Sequence, residues 1–170
     1  MIRRFLDRLY GTAEVLGAVA FVAILLPIAG QVAVRPFNAV VPAADEFAGY
    51  AMAASLFLML GPALRRGAHI RVGVVLDRLR PAARRPLEIA CLAFGTALAG
   101  FFAAAWVRMT WDSYDFGDLS QGVLPVPLWM PQAVMGVGLV VLVVALADDL
   151  VSVLMGRPAS YDSAPAASEG

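Results

Sequence analysis

The chain has 170 residues, of which 61% are hydrophobic, and a mean hydropathy of +0.77. That is far too apolar for a soluble domain of this size. Thirteen basic and thirteen acidic residues cancel to a formal net charge of zero, which says little because the charges are segregated along the chain. A single cysteine, Cys91, excludes an internal disulfide and any CxxC metal or redox motif, and is expected to be a small buried apolar residue.

Four long runs carry no charge: residues 15–34, 47–64, 89–107 and 119–147. About 20 apolar residues at a rise of 1.5 Å span a hydrocarbon core, so each run can cross a membrane once. The first follows a basic stretch (Arg3, Arg4, Arg8) like that of a signal peptide. It is nevertheless longer than the 7–15 residues of a signal-peptide core and precedes no convincing small-residue cleavage site, so it is expected to stay as a helix. The last run opens with Pro125, Pro127 and Pro131, which places its helix from about Leu128 onward. The expected fold class is an all-α integral membrane protein occupying residues 1–155, with spans near 13–35, 46–64, 87–108 and 128–154. The remaining residues, 156–170, read GRPASYDSAPAASEG, a composition expected to be disordered. Small residues spaced four apart (Gly95, Ala99, Ala103; Gly100, Ala104; Ala51, Ser55) either pack these helices together or serve another subunit.

Seven of the thirteen basic residues, Arg65, Arg66, Arg71, Arg78, Arg80, Arg84 and Arg85, sit between the second and third runs. Only Arg35 and Arg108 fall in the two other loops. Basic loops stay cytoplasmic, so both termini and the middle loop are expected in the cytoplasm of a bacterial inner membrane. The opposite loop, WDSYDFGDLS, would present Asp112, Asp115 and Asp118 to the periplasm, with Trp106, Trp111 and Trp129 as an interfacial belt.

Within the middle loop, Val72, Val75, Leu76 and Leu79 recur at helical spacing. Pro81 and Pro86 bracket a turn before the third span. This predicts a short interfacial helix over about 70–80, its arginines at lipid headgroups. Ile70, Val74 and Asp77 form a second stripe opposite the first, which would meet protein, either a partner or this chain's own bundle.

An ionisable group at membrane depth usually marks a transport pathway, and the middles of these four runs contain none. Anion transport coupled to cations needs polar groups or broken helices near the midplane. The chain alone is therefore not expected to conduct. The only histidine, His69, lies in the basic loop, so paired haem ligation is excluded, and no catalytic set, phosphate-binding glycine loop or metal cluster is legible. The expectation is no enzyme, no cofactor, no metal and no nucleic-acid partner, the arginines being explained by topology and phospholipids.

Several stretches together resemble a family. Arg35-Pro36-Phe37 closes the first span and Asp45-Glu46 opens the second. The run LGPALRRGAHIRVGVVLDRL follows, with Arg65, Arg66 and His69-Ile70-Arg71-Val72, and VPLWMPQ precedes the last span. The chain resembles the small membrane subunit of tripartite ATP-independent periplasmic (TRAP) transporters over about residues 5–155. It departs from that pattern at Ala43 and Ala44, where a tryptophan is frequent, at Asp45 and at Gly73.

The resemblance implies an accessory permease subunit of a sodium-coupled, binding-protein-dependent transporter for organic acids. Its partners would be a large multi-span subunit and a periplasmic solute-binding protein. Glu46 would serve as a helix N-terminal carboxylate or a subunit contact. Arg65, Arg66, His69, Ile70, Val74 and Asp77 would form a subunit or lipid interface, and Asp112, Asp115 and Asp118 a periplasmic docking surface. Two alternatives remain open at this level: the four-span small subunit of a tripartite tricarboxylate transporter, and a membrane scaffold with no transport partner.

Overall fold

A computed structural model describes residues 2–67 and 81–160, so the expected interfacial helix over 70–80, with His69, Ile70, Val74 and Asp77, lies outside the described residues. Five α-helices account for most of the rest: α1 (Ile2–Ala23), α2 (Leu25–Val34), α3 (Ala44–Arg65), α4 (Pro81–Asp115) and α5 (Trp129–Leu154). Grouped with the short 3-10 turn Arg35–Phe37, they make four rods long and apolar enough to cross a membrane. No strand occurs among the described residues, only an isolated bridge between Leu119 and Pro127.

Local chemistry explains the breaks. The first rod is interrupted at Ile24 because Pro27, three residues on, has no N–H for the Ala23 carbonyl and crowds it with its ring. α3 stops where Gly67 takes a φ of 69° and donates its N–H to the Leu64 carbonyl, the left-handed ending that glycine adopts without strain. The turn expected between Pro81 and Pro86 is instead helix. Pro81 is the first residue of α4, where its missing N–H costs nothing, and Pro86 forfeits only the bond to Ala82 close to the helix end.

The rods form a row. α5 packs along α3 and along α4, while α1 packs mainly along α3 and also meets α5, Tyr10 and Ala13 sharing a core cluster with Val141 and Ala145. The α3–α5 crossing is the tightest. Gly138 faces the Phe57 backbone so closely that a Cβ would run into the carbonyl, and a Cβ on Gly61 would lie 2.8 Å from Val141 Cγ1. Gly17 plays the same part between α1 and α3, where an added Cβ would meet Met59 and Ser55. Small residues of this kind let helix backbones approach where no hydrophobic drive separates protein from lipid.

The small face read on the third span divides in two. Ala103 is buried and Gly95 lies toward Leu146 of α5, whereas Gly100 has open space around it and Ala104 is exposed. Cys91, expected to be buried, is exposed, because it lies one residue off the phase that turns Leu92 into the α4–α5 contact. Two segments flanking the spans also join the helical body. α1 begins ahead of the apolar run and carries Arg3, Arg4, Asp7 and Arg8 on helical turns. Residues 156–160, which composition assigns to a disordered tail, fold back instead. Ala159 is fully buried beside Leu92 and Val153.

Candidate functional site

Charged side chains gather at the two ends of the row, and these ends are the candidate functional surfaces. The acidic end is built by the loops that join α2 to α3 and α4 to α5. Ala43, with φ 59°, turns the chain into α3, so that Asp45 and Glu46 occupy its first turn. Glu46 does not cap the helix through a hydrogen bond. Its Oε1 accepts from the Tyr50 hydroxyl at 2.6 Å, one turn on, and its Oε2 is packed against the Gly122 backbone, with the Ser120 hydroxyl beside the carboxylate. A side chain at position 122 would strike this carboxylate.

The loop it supports is itself pinned. Ser120 N donates to the Val126 carbonyl at 2.8 Å, and Leu128 N to the Asp118 carbonyl at 3.0 Å. On the facing loop, Val41 N donates to Gln31 Oε1 at 3.0 Å. A cleft of about 450 Å³ lies between the two loops, with Gln31, Glu46 and Gly122 on its walls. Asp112, Asp115 and Asp118 are all exposed here. Sequence reasoning singled out Glu46 and the three aspartates separately. Tyr50, Gln31 and Gly122, which shape the surface, carry no motif and were missed.

The aromatic belt is more specific than its name. Trp106 Nε1 donates to the Gln132 carbonyl at 2.8 Å and its ring packs on Phe57, with centroids 5.6 Å apart. It therefore joins α3, α4 and α5. Tyr114 stands edge-on to Trp129 at 5.6 Å. Below that pair runs an almost wholly apolar groove of about 520 Å³ along the exposed face of α5, walled by Val107 and Trp111 of α4 and reaching Leu9 of α1.

At the basic end, Arg65 and Arg66 stitch α3 to α1. Arg65 Nη1 lies 2.9 Å from Asp7 Oδ1 with its guanidinium 4.5 Å over the Tyr10 ring, and Arg66 pairs with Glu14. Both arginines thus have partners within the chain, and about 20 residues of α3 separate them from Glu46. The structure therefore divides the candidate residues of this helix between two opposite surfaces. The most deeply buried polar side chain among the described residues is Asp149, 1% exposed. It accepts from Ser160 N at 2.8 Å and from Ser160 Oγ at 3.0 Å. Those bonds offset the cost of burying a carboxylate. Helical phase could have found it, since Val141, Ala145 and Asp149 lie on one buried stripe.

Four apolar rods with charge confined to their ends define a multi-pass membrane protein. Among the described residues, no group of three or more potential metal ligands occurs. A family profile decides which such protein it is. Residues 24–156 match that of the tripartite ATP-independent periplasmic transporters, DctQ component. The chain belongs to that family, the small permease component of TRAP transporters, which works with a large membrane subunit and a binding protein. It is thus a transporter component, and the tricarboxylate alternative falls away. No curated protein matches the chain.

Proposed function

We propose that this chain is the accessory subunit of a sodium-coupled, binding-protein-dependent carrier of organic acids. In this reading it scaffolds the large subunit in the bilayer, and its acidic end, at the periplasmic side, helps to dock the solute-binding protein. Both termini and the arginine-rich loop then lie in the cytoplasm.

The observation that carries the reading is the apolar groove along α5, set between charge-free spans. A self-sufficient carrier encloses its solute between helices, with polar groups at membrane depth. This chain has charge-free span centres, and a groove of about 520 Å³ that is almost wholly apolar faces outward along α5. A surface of that kind suits the apolar helices of a larger membrane protein. Across the charged ends the roles divide: the arginines favour retention on the cytoplasmic side, and the braced acidic loops form a preorganised surface for a soluble partner.

Reconstitution tests it. In liposomes under a sodium gradient, the purified chain should take up no organic acid, and uptake should appear when the large subunit and the binding protein are added. Sodium-driven uptake by this chain alone would refute the accessory role.

A further inference from the structure

A cavity of about 300 Å³ at the basic end is lined by three arginines from two distant parts of the chain, Arg84 and Arg85 from the start of α4 and Arg157 from the segment after α5. We propose that these three arginines form a built site for a phosphate-bearing anion, namely the headgroup of an anionic phospholipid. The inference rests on the membrane placement above but not on the transport partners.

The architecture brings the three together. α5 ends at Leu154, Gly156 with a φ of 77° then reverses the chain, and Arg157 N donates to the Ser152 carbonyl at 2.9 Å. The reversed segment is fastened at two points, by Ala159 buried between α4 and α5 and by Ser160 bonded to buried Asp149. Arg157 is thereby held over the first turns of α4. Arg85 is steadied from the other side, where its Nη2 lies 3.4 Å from the Val153 and Leu154 carbonyls at the negative end of the α5 dipole.

A guanidinium has five N–H donors in a rigid fork, so Arg85 retains donors after those long contacts. Glu88 also lines the cavity, and three guanidiniums against one carboxylate leave a net charge of +2. Two or three converging forks match the oxygens of a phosphate, which accepts bidentate bonds better than a lone ammonium can supply them. The neighbourhood indicates where that phosphate comes from. Leu87, Leu154 and Met155 are all exposed apolar side chains adjoining the cavity lining in sequence. Acyl chains would cover them while the headgroup meets the arginines.

The test uses the full chain purified in a neutral detergent and titrated with short-chain phosphatidylglycerol, short-chain phosphatidylcholine or inorganic phosphate, with the melting temperature as readout. Phosphatidylglycerol should raise it saturably, and Arg84→Ala with Arg157→Ala should weaken the apparent affinity at least tenfold. Arg84→Lys with Arg157→Lys keeps the charge but loses the fork, and should weaken it measurably too. Ser160→Ala keeps every arginine but frees the strap, and should also lower affinity. Inorganic phosphate shifting the wild type equally would keep the phosphate site but make free anion its source, not lipid. The proposal is overturned if Arg3→Ala with Arg4→Ala, elsewhere on the same end, costs as much affinity, or if phosphatidylcholine binds as well as phosphatidylglycerol. Because no partner is present, these results are independent of whether transport is reconstituted.

Discussion

Gly138 of α5 lies against the backbone carbonyl of Phe57 in α3, with no space between them for a side chain. Backbone cannot yield as a flexible side chain can. Gly138→Ala should therefore force the two helices apart and cost about 1–3 kcal/mol, as overpacking does. Alanine's better helix propensity returns only about 1 kcal/mol. Gly100→Ala is the matched control, because nothing lies within 4 Å of a Cβ there. Thermal unfolding in detergent should show a lower melting temperature for the first variant and an unchanged or slightly higher one for the second. Equal behaviour of both would mean that the α3–α5 crossing is not the tight contact described.

The brace beneath the acidic loops gives a second prediction. Tyr50→Phe removes the donor to Glu46 Oε1, a loss of about 1 kcal/mol for one hydrogen bond. Glu46→Ala removes the wall against Gly122 as well. If this end docks the binding protein, uptake in the three-component system should fall several-fold at limiting binding protein and recover as its concentration is raised. Co-purification with the large subunit should persist. Loss of that co-purification with normal binding-protein dependence would assign Glu46 to the membrane interface instead.

Orientation is tested by cysteine labelling. The native Cys91 is exposed on α4, so it must first be replaced by serine. In that background Asp115→Cys should react with a membrane-impermeant reagent added to the periplasmic side, and Arg4→Cys only once the inner face is opened. The reverse pattern would overturn the arrangement inferred from the arginine distribution.

What could be read in advance depended on the kind of information. Hydropathy and proline position report local free energies, so four membrane-length helices were legible. The family followed from text around Leu60 to Leu79. Register between helices was not legible, because it depends on which small residue meets which backbone. The spacing on α4 drew attention to Gly100 and Ala104, yet the closest approaches use Gly61 and Gly138. Residues 156–160 misled for a related reason. Their composition is that of a disordered tail, and what holds them is the pocket that takes Ala159 and the buried Asp149, about 10 Å along the chain axis before Gly156 reverses it. Arg65 and Arg66 were legible as a pair at a helix end, but their acidic partners Asp7 and Glu14 lie more than fifty positions away.

The loop of residues 68–80 carries the last prediction. Its sequence places Val72, Val75, Leu76 and Leu79 on one helical stripe and Ile70, Val74 and Asp77 on the opposite one. If the first stripe rests in the lipid boundary, Val75→Asp with Leu76→Asp puts charge into apolar surroundings at interfacial depth. That costs a few kcal/mol at most, below the penalty at the midplane, so the chain should insert but melt earlier. If the second stripe meets the large subunit, Ile70→Asp with Val74→Asp should leave the isolated chain's melting temperature intact while reducing co-purification and reconstituted uptake together. The two double variants thus separate lipid contact from subunit contact by which property each one loses. Unchanged co-purification and uptake in both would reduce the loop to a tether between α3 and α4.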